Sequence, residues 1–212
     1  MGDTRHEPPG HNPPSYDRWA AHYDRVMRPL ERRLVARLRA AAMREMPAGA
    51  RLLEVGAGTG ANFPFYPTGA RVAATELSIE MLRRANARRA AMNGTHANVT
   101  LLQSPAERLP FADASFDAAL STLVLCSVKS ITAALSEMRR VVRPAGRVVL
   151  VEHVRPPGLL GHLFDAASLI TVPFLEDHFN RRTAEEAARA GLRVLRVEPH
   201  ALGIVQLIVC EV

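Results

Sequence analysis

The spacing of apolar residues changes period several times along the chain. From Ser15 the pattern is helical: Tyr16, Trp19, Ala20 and Tyr23 recur at helical spacing, and Ser15 and Asp17 suit a helix start. Pro29 separates this segment from the next, where Leu30, Leu34, Val35, Leu38 and Ala42 form one apolar stripe. Arg32, Arg33, Arg37, Arg39 and Arg44 populate the rest of that helix, which ends at Pro47-Ala-Gly49. The period then shortens. Strands are predicted over 51–55, 71–75, 98–103 and 116–122, the last after the turn Asp113-Ala-Ser115. A nearly continuous Val/Leu run over 147–154 suits a central parallel strand covered on both faces. Helices are predicted over 78–93, with Ser78 as cap and Gly94 at the end, over 130–142, stopping before Pro144, and over 183–190, closed by Gly191. Two last strands, 192–197 and 204–210, have only Glu198–Gly203 between them, so an antiparallel pair is natural.

This alternation predicts an α/β fold: a Rossmann-like, doubly wound sheet of seven strands, mostly parallel, with an antiparallel last strand and helices on both faces. Residues 1–14 hold four prolines and two glycines and read as a disordered tail. The domain then runs over 15–212, with N-terminal helices over 15–48 placed to act as a lid. The regular order breaks over 155–182, which carries Pro156-Pro157-Gly158, the apolar residues Leu159, Leu160, Leu163, Phe164, Leu169 and Ile170, and Pro173. That stretch is expected to shape the substrate side of a pocket, although core packing is the commoner explanation for such a stripe.

Composition narrows the function classes. With 212 residues, 48% hydrophobic and 23% charged, the chain is of ordinary single-domain size. The formal net charge is +6 and Lys129 is the only lysine. The charge is spread without a block of five or six like residues, so no nucleic-acid partner is expected. Cys126 and Cys210 both lie in apolar stretches and read as buried thiols, which fits a reducing cytoplasm. No run of about 18 apolar residues predicts a spanning helix.

The chemistry centres on Leu52-Leu-Glu54-Val-Gly56-Ala57-Gly58-Thr-Gly60-Ala-Asn62. Three alternate glycines after a strand let the backbone approach a ligand closely, at the carboxyl end of the first strand. Glu76, some 20 residues further on, ends the second strand, where a carboxylate can accept both hydroxyls of an adenosine ribose. The same glycines also fit the relaxed dinucleotide pattern, so an NAD-dependent oxidoreductase is the reading from another class. Glu54 separates the two. An acid there faces a pyrophosphate unfavourably but can accept from an α-amino group. No metal site is expected.

Taken together, the motifs resemble the class I methyltransferases related to the ubiquinone/menaquinone-biosynthesis enzymes. The parts are Tyr16-Asp-x-Trp-x-x-x-Tyr23-Asp24, Leu53-Glu-Val-Gly-x-Gly-Thr-Gly60, Glu76-Leu-Ser-x-x-Met81-Leu, Ala106-Glu-x-Leu-Pro-Phe111, Ser115-Phe-Asp117 and Arg140-Val-Val-x-Pro-x-Gly-Arg147, in order over about 130 residues. The resemblance implies an S-adenosylmethionine-dependent methyltransferase, with S-adenosylhomocysteine as product. It implies that Glu54, Gly56, Ala57, Gly58, Gly60 and Asn62 hold the methionine part and that Glu76 holds the ribose. Leu77 and Met81 would then pack on or near adenine, with Pro105, Ala106 and Glu107 beside the base and Ser121 and Leu123 completing the cofactor contacts. Where the family commonly has an acid, this chain has Pro105, so recognition of adenine falls to backbone or to Glu107.

Finer similarity divides. Gly60-Ala-Asn-Phe-x-Phe-Tyr-Pro67, Thr122-Leu-Val-Leu-Cys-Ser-Val128 and Glu152-His-Val154 look like the alkyl-thiol methyltransferase-like proteins. Tyr16-Asp-Arg-Trp-Ala20 and Tyr23-Asp24 also look like bacterial phospholipid N-methyltransferases. A small or amphiphilic acceptor (thiol, quinol or other small molecule) is therefore expected, with phosphatidylethanolamine at the membrane surface as the alternative. Transfer to sulfur or a neutral amine needs little acid–base help, whereas oxygen or carbon needs a base. His153, Tyr23 and His22 are the candidates to touch the acceptor; His178, Asn180 and Arg181 read as loop residues. For the Arg-rich helix two readings stay open, a solvated outer face or a face laid on the inner leaflet of an anionic membrane.

Overall fold

The computed structural model describes residues 35–92, 98–156, 158, 161–162 and 181–212. The expected tail over 1–14, Trp19, His22 and Tyr23, the Gly94 helix end, and most of 155–182 with His178 and Asn180 lie outside the described residues.

The described elements, in order, are α1 (Ala36–Arg44), β1 (Arg51–Val55), a 3₁₀ turn (Phe63–Phe65), β2 (Arg71–Glu76), α2 (Ile79–Ala91), β3 (Asn98–Gln103), β4 (Phe116–Thr122), α3 (Ile131–Val141), β5 (Val142–His153), α4 (Thr183–Arg189), β6 (Arg193–His200), a second 3₁₀ turn (Ala201–Gly203) and β7 (Val205–Glu211). The seven strands form one sheet in the order β3-β2-β1-β4-β5-β7-β6. Pairing is parallel from β3 through β5, and β7 runs antiparallel to both β5 and β6. The strand order reverses beside β1, which places a crevice at the carboxyl ends of β1 and β4.

Alternation along each strand feeds two cores. Leu52, Val72, Leu120, Val149 and Leu207 face one way and pack with Leu38 and Ala42 of α1 and Ala85 of α2. Leu53, Val55, Ala119, Leu150 and Ile208 face the other way, against Leu135 and Met138 of α3 and Ala187 of α4. Ser78 caps α2 by accepting from the Met81 amide at 3.1 Å, and Ser130 caps α3 through the Ala133 amide at 3.2 Å.

Two expectations need correction. Strand β5 begins at Val142, which pairs with Phe116; the register then jumps so that Arg147 pairs with Ala118. The Pro144–Gly146 stretch is an irregularity inside the strand, with Ala145 at φ 59°, whereas periodicity alone ended a helix there. The second concerns the Arg-rich helix. Arg37 and Arg44 are exposed, but Arg39 is buried at 6% exposure. It follows Val35 by four residues and precedes Ala42 by three, so it lies on the apolar stripe itself.

Candidate functional site

Glu54 is the fourth residue of β1, and alternation puts it on the same face as Leu52, under α1. At 2% exposure, its carboxylate has left water and requires partners. The turn after β1 supplies them. The Asn62 amide donates from Nδ2 to Glu54 Oε1 at 2.6 Å, and the Tyr66 hydroxyl donates to Oε2. Asn62 Nδ2 also donates to Thr122 Oγ1 at 3.2 Å, and its Oδ1 accepts from Arg39 Nη1 at 2.7 Å. Burial pushes the Glu54 carboxyl up to about 7, a rise that Asn62 and the Arg39 cation oppose and the Glu76 charge adds to.

The glycine turn is fixed from two sides. The Ala57 amide donates to the Thr75 carbonyl at 2.8 Å, which ties the turn to the end of β2. Gly56 sits at φ +71°, and a Cβ built there would lie 2.3 Å from a Val124 methyl in the loop after β4. Backbone and neighbour both exclude a side chain, so the turn and that loop are in close contact.

Glu76 ends β2 half-buried, with each carboxylate oxygen held by a backbone amide. Gly58 donates to Oε2 at 2.9 Å and Ser78 to Oε1 at 2.8 Å. The two amides fix the orientation of the carboxylate, whose pair of acceptor oxygens matches the spacing of vicinal hydroxyls. The Ser104 amide donates to the Glu76 carbonyl at 3.1 Å, bringing the Pro105–Ala106–Glu107 turn alongside. Glu107 Oε1 accepts from the amides of Lys129 (2.8 Å) and Ser130 (3.3 Å), so one of its oxygens serves the start of α3. Leu77 is half-buried beside Glu76, and Met81 is buried in the first turn of α2.

A second buried carboxylate organises the loop after β4. Glu152, in β5, is fully buried and accepts from Ser121 Oγ at 2.7 Å and from the Val124 and Leu125 amides, each at 3.1 Å. Burial raises its carboxyl to about 7 against these bonds and the Arg181 charge. Arg181 grips the same loop by its carbonyls, donating to Leu125 and, at 2.6 Å, to Val128. Held this way, Leu123 adopts φ 57°, a conformation that costs a non-glycine residue about 1–2 kcal/mol.

The fold thus gathers Glu54, Gly56, Ala57, Gly58, Gly60, Asn62, Glu76, Ser121, Leu123 and the 105–107 turn around the carboxyl ends of β1, β2 and β4. His153 stands apart, half-buried at the end of β5, two strands from β1. Beyond it, a groove of about 540 Å³ runs along the β5, β7 and β6 ends, walled by Val154, Arg155, Pro156, Arg181, Arg182 and Gln206. Sequence reasoning missed Arg39, Tyr66, Glu152 and the Arg181 grip. An acid directly after the apolar run Val148–Val151 was a usable signal for Glu152, and stripe position was one for Arg39.

The donor set discriminates between ligands. No α-helix follows the glycine turn: the chain enters the 3₁₀ turn Phe63–Phe65 and then β2. A dinucleotide pyrophosphate rests on a helix N-terminus at that point, and here a buried acid lies before the turn instead. An ammonium-bearing nucleoside fits the pair Glu54 and Glu76.

A family model described as a methyltransferase domain matches residues 53–150. The chain is 41% identical over 107 residues to the thiol S-methyltransferase TMT1B of Homo sapiens, across 50% of this chain and 43% of that one. It therefore spans under half the length of that relative, and 62% of the mouse protein of the same name. Identity is 36% over 167 residues to the ubiquinone/menaquinone biosynthesis C-methyltransferase UbiE of Syntrophotalea carbinolica, across 76% of this chain and 69% of that one. It is 35% over 142 residues to the phosphatidylethanolamine N-methyltransferase of Cereibacter sphaeroides, across 66% of each. Among solved structures, a SAM-dependent methyltransferase of Thermotoga maritima, described as a possible histamine N-methyltransferase, shares the fold with a TM-score of 0.70 at 22% identity, covering 93% of this chain and 98% of that one.

Proposed function

The chain belongs to the class I S-adenosylmethionine-dependent methyltransferases, and from that premise we propose that it methylates a small or amphiphilic acceptor, with a thiol as the leading class. Bound S-adenosylmethionine supplies an electrophilic sulfonium methyl. The observation that carries the reading of the cofactor end is Glu54, buried just before a glycine turn that no helix follows. In this reading Glu54 accepts from the α-amino group, the turn admits the amino-acid chain, and Glu76 accepts from the ribose hydroxyls. Leu77, Met81 and the 105–107 turn border the base, and Ser121 and Leu123 close the methionine side.

Positioning then supplies most of the acceleration, because the acceptor atom must sit about 3 Å from the methyl and on its axis. A thiol suits this site: its thiolate is intrinsically nucleophilic, so sulfur needs less help from a base than oxygen or carbon does. The similarity to the thiol S-methyltransferases TMT1B of human and mouse supports the thiol reading. His153, at the carboxyl end of β5, is the described candidate to contact the acceptor; His22 and Tyr23 retain that role as proposals outside the described residues. The groove beyond His153, where Val154 and Pro156 lie beside Arg182 and its ion-pair partner Glu185, supports a molecule having both apolar and polar parts.

The 35% identity to a phosphatidylethanolamine N-methyltransferase favours a second reading, action on a lipid headgroup at a membrane surface. Among the described residues no helix is long and apolar enough to cross a membrane, so such contact would be peripheral, through the exposed arginines of α1.

A labelled-methyl transfer screen over alkyl thiols, quinols, phenols, amines and phosphatidylethanolamine vesicles tests the acceptor. Transfer to thiols is expected. Transfer only to the lipid amine would replace it with the second reading. Calorimetry with S-adenosylhomocysteine and with NAD tests the cofactor end, and NAD binding alone would overturn the assignment of Glu54.

A further inference from the structure

Arg39 is the only buried arginine among the described residues. It comes from α1, outside every motif that marks the cofactor site. Its Nη1 donates to Asn62 Oδ1 at 2.7 Å, and the same Asn62 donates from Nδ2 to Glu54 Oε1 at 2.6 Å and to Thr122 Oγ1 at 3.2 Å. We propose that Arg39 is a positioning residue for the methyl donor: it locks the Asn62 amide one way round and thereby presents Glu54 as an oriented anion to the donor's ammonium. This rests on the reading of Glu54 given above.

An amide is nearly symmetrical in shape, so packing alone does not choose which end faces Glu54. If Asn62 turned over, its Oδ1 would face Glu54 Oε1 acceptor to acceptor, and its Nδ2 would face a guanidinium that has only donors. The cation on the far side therefore selects the orientation in which both amide hydrogens reach acceptors. It also acts by charge. The groups facing Glu54 among the described residues are Asn62 and Tyr66 from the turn, Arg39 from α1 through Asn62, and Glu76 from β2. Arg39 is the one cation that opposes the combined effect of burial and Glu76. Without it, Glu54 holds its proton to higher pH, and an incoming ammonium must displace that proton.

The test compares Arg39→Met, Arg39→Gln and Arg39→Lys in the full chain. Calorimetry with S-adenosylhomocysteine is run from pH 6 to 9, in two buffers of different ionisation enthalpy, with melting curves alongside. Arg39→Met is expected to weaken binding about tenfold at pH 7.5, the usual size of a lost charge-assisted hydrogen bond. It is also expected to move the acidic limb of the affinity profile upward and to release more protons per ligand bound at that pH. Arg39→Lys restores the limb and the proton count. Arg39→Gln removes the charge but keeps a shorter polar side chain, so it retains the shifted limb; it carries the test if the Met variant does not fold. A merely structural role predicts lowered melting temperatures with an unmoved limb, and that result overturns the proposal. Wild-type affinity in both Arg39→Met and Arg39→Gln overturns it too, while failure of the wild-type protein to bind S-adenosylhomocysteine sinks the underlying reading of Glu54 itself.

Discussion

Replacing Gly56 by alanine tests the contact between the glycine turn and the loop after β4. Two costs add. Gly56 has φ +71°, and the left-handed region costs an L-residue about 1–2 kcal/mol. The new Cβ would also lie 2.3 and 2.5 Å from the two Val124 methyls and 2.9 Å from its Cβ. Valine is stiff at χ1 and cannot swing away, so the loop must shift, at about 1–3 kcal/mol. The sum, about 2–5 kcal/mol, lowers the melting temperature by roughly 10 °C in a domain of this size. Gly58→Ala is the control: its φ is +54° and nothing lies within 4 Å of its Cβ, so it carries the backbone cost alone, about 1 kcal/mol. In the double variant Gly56→Ala/Val124→Ala the two methyl overlaps disappear, while the 2.9 Å Cβ contact and the backbone cost stay, which predicts a coupling of at least about 1 kcal/mol in a denaturant cycle. Urea unfolding of the wild type, Gly56→Ala, Gly58→Ala, Val124→Ala and the double variant, with S-adenosylhomocysteine titration of each, measures both quantities. Strict additivity of the two substitutions, or a Gly56→Ala protein as stable as Gly58→Ala, would refute the contact.

Three further outcomes follow from the charges and caps. The Glu54 and Glu152 carboxyls both sit at about 7 in the folded chain, against 4.5 unfolded. The folded state then binds more protons, so their contribution is present below about 4.5 and is lost as pH rises through 7, by up to about 3 kcal/mol each. Glu54→Gln is expected to flatten the fall in urea midpoint between pH 5 and 7, and an unchanged slope would mean that Glu54 titrates as it does unfolded. Glu76→Gln keeps the shape but faces the Gly58 and Ser78 amides with one donor of its own; a rise of at least tenfold in the KM for S-adenosylmethionine is expected, and a normal KM would remove Glu76 from the site. Ser130→Ala loses the cap on α3, lowering stability by about 1 kcal/mol in urea without changing cofactor affinity; a matching loss of affinity would place Ser130 at the ligand.

Local patterning made much of the scaffold legible. The boundaries of β1, β3 and β4, the caps Ser78 and Ser130, and the antiparallel final pair depend on neighbouring residues and on strand alternation, and sequence carries both directly. Glu54, the glycines and Glu76 were visible for the same reason, since one turn and two strand ends hold them within a short span. The break in β5 was not legible: Val142 pairs with Phe116 before the register jumps, and pairing between distant strands leaves no trace in local periodicity. The ligand class was open between dinucleotide and ammonium-bearing nucleoside while only the glycine spacing was in view. Glu54 already separated the two in the sequence, and the 3₁₀ turn after β1 adds that no helix N-terminus stands where a pyrophosphate would rest. Arg39 marks the same boundary most sharply. Its place on the stripe of α1 follows from its number, but its partner is Asn62, 23 residues away. Only the packing of α1 against β5 and the 3₁₀ turn after β1 takes both groups out of water, and desolvation turns an ordinary surface cation into the partner of a buried site.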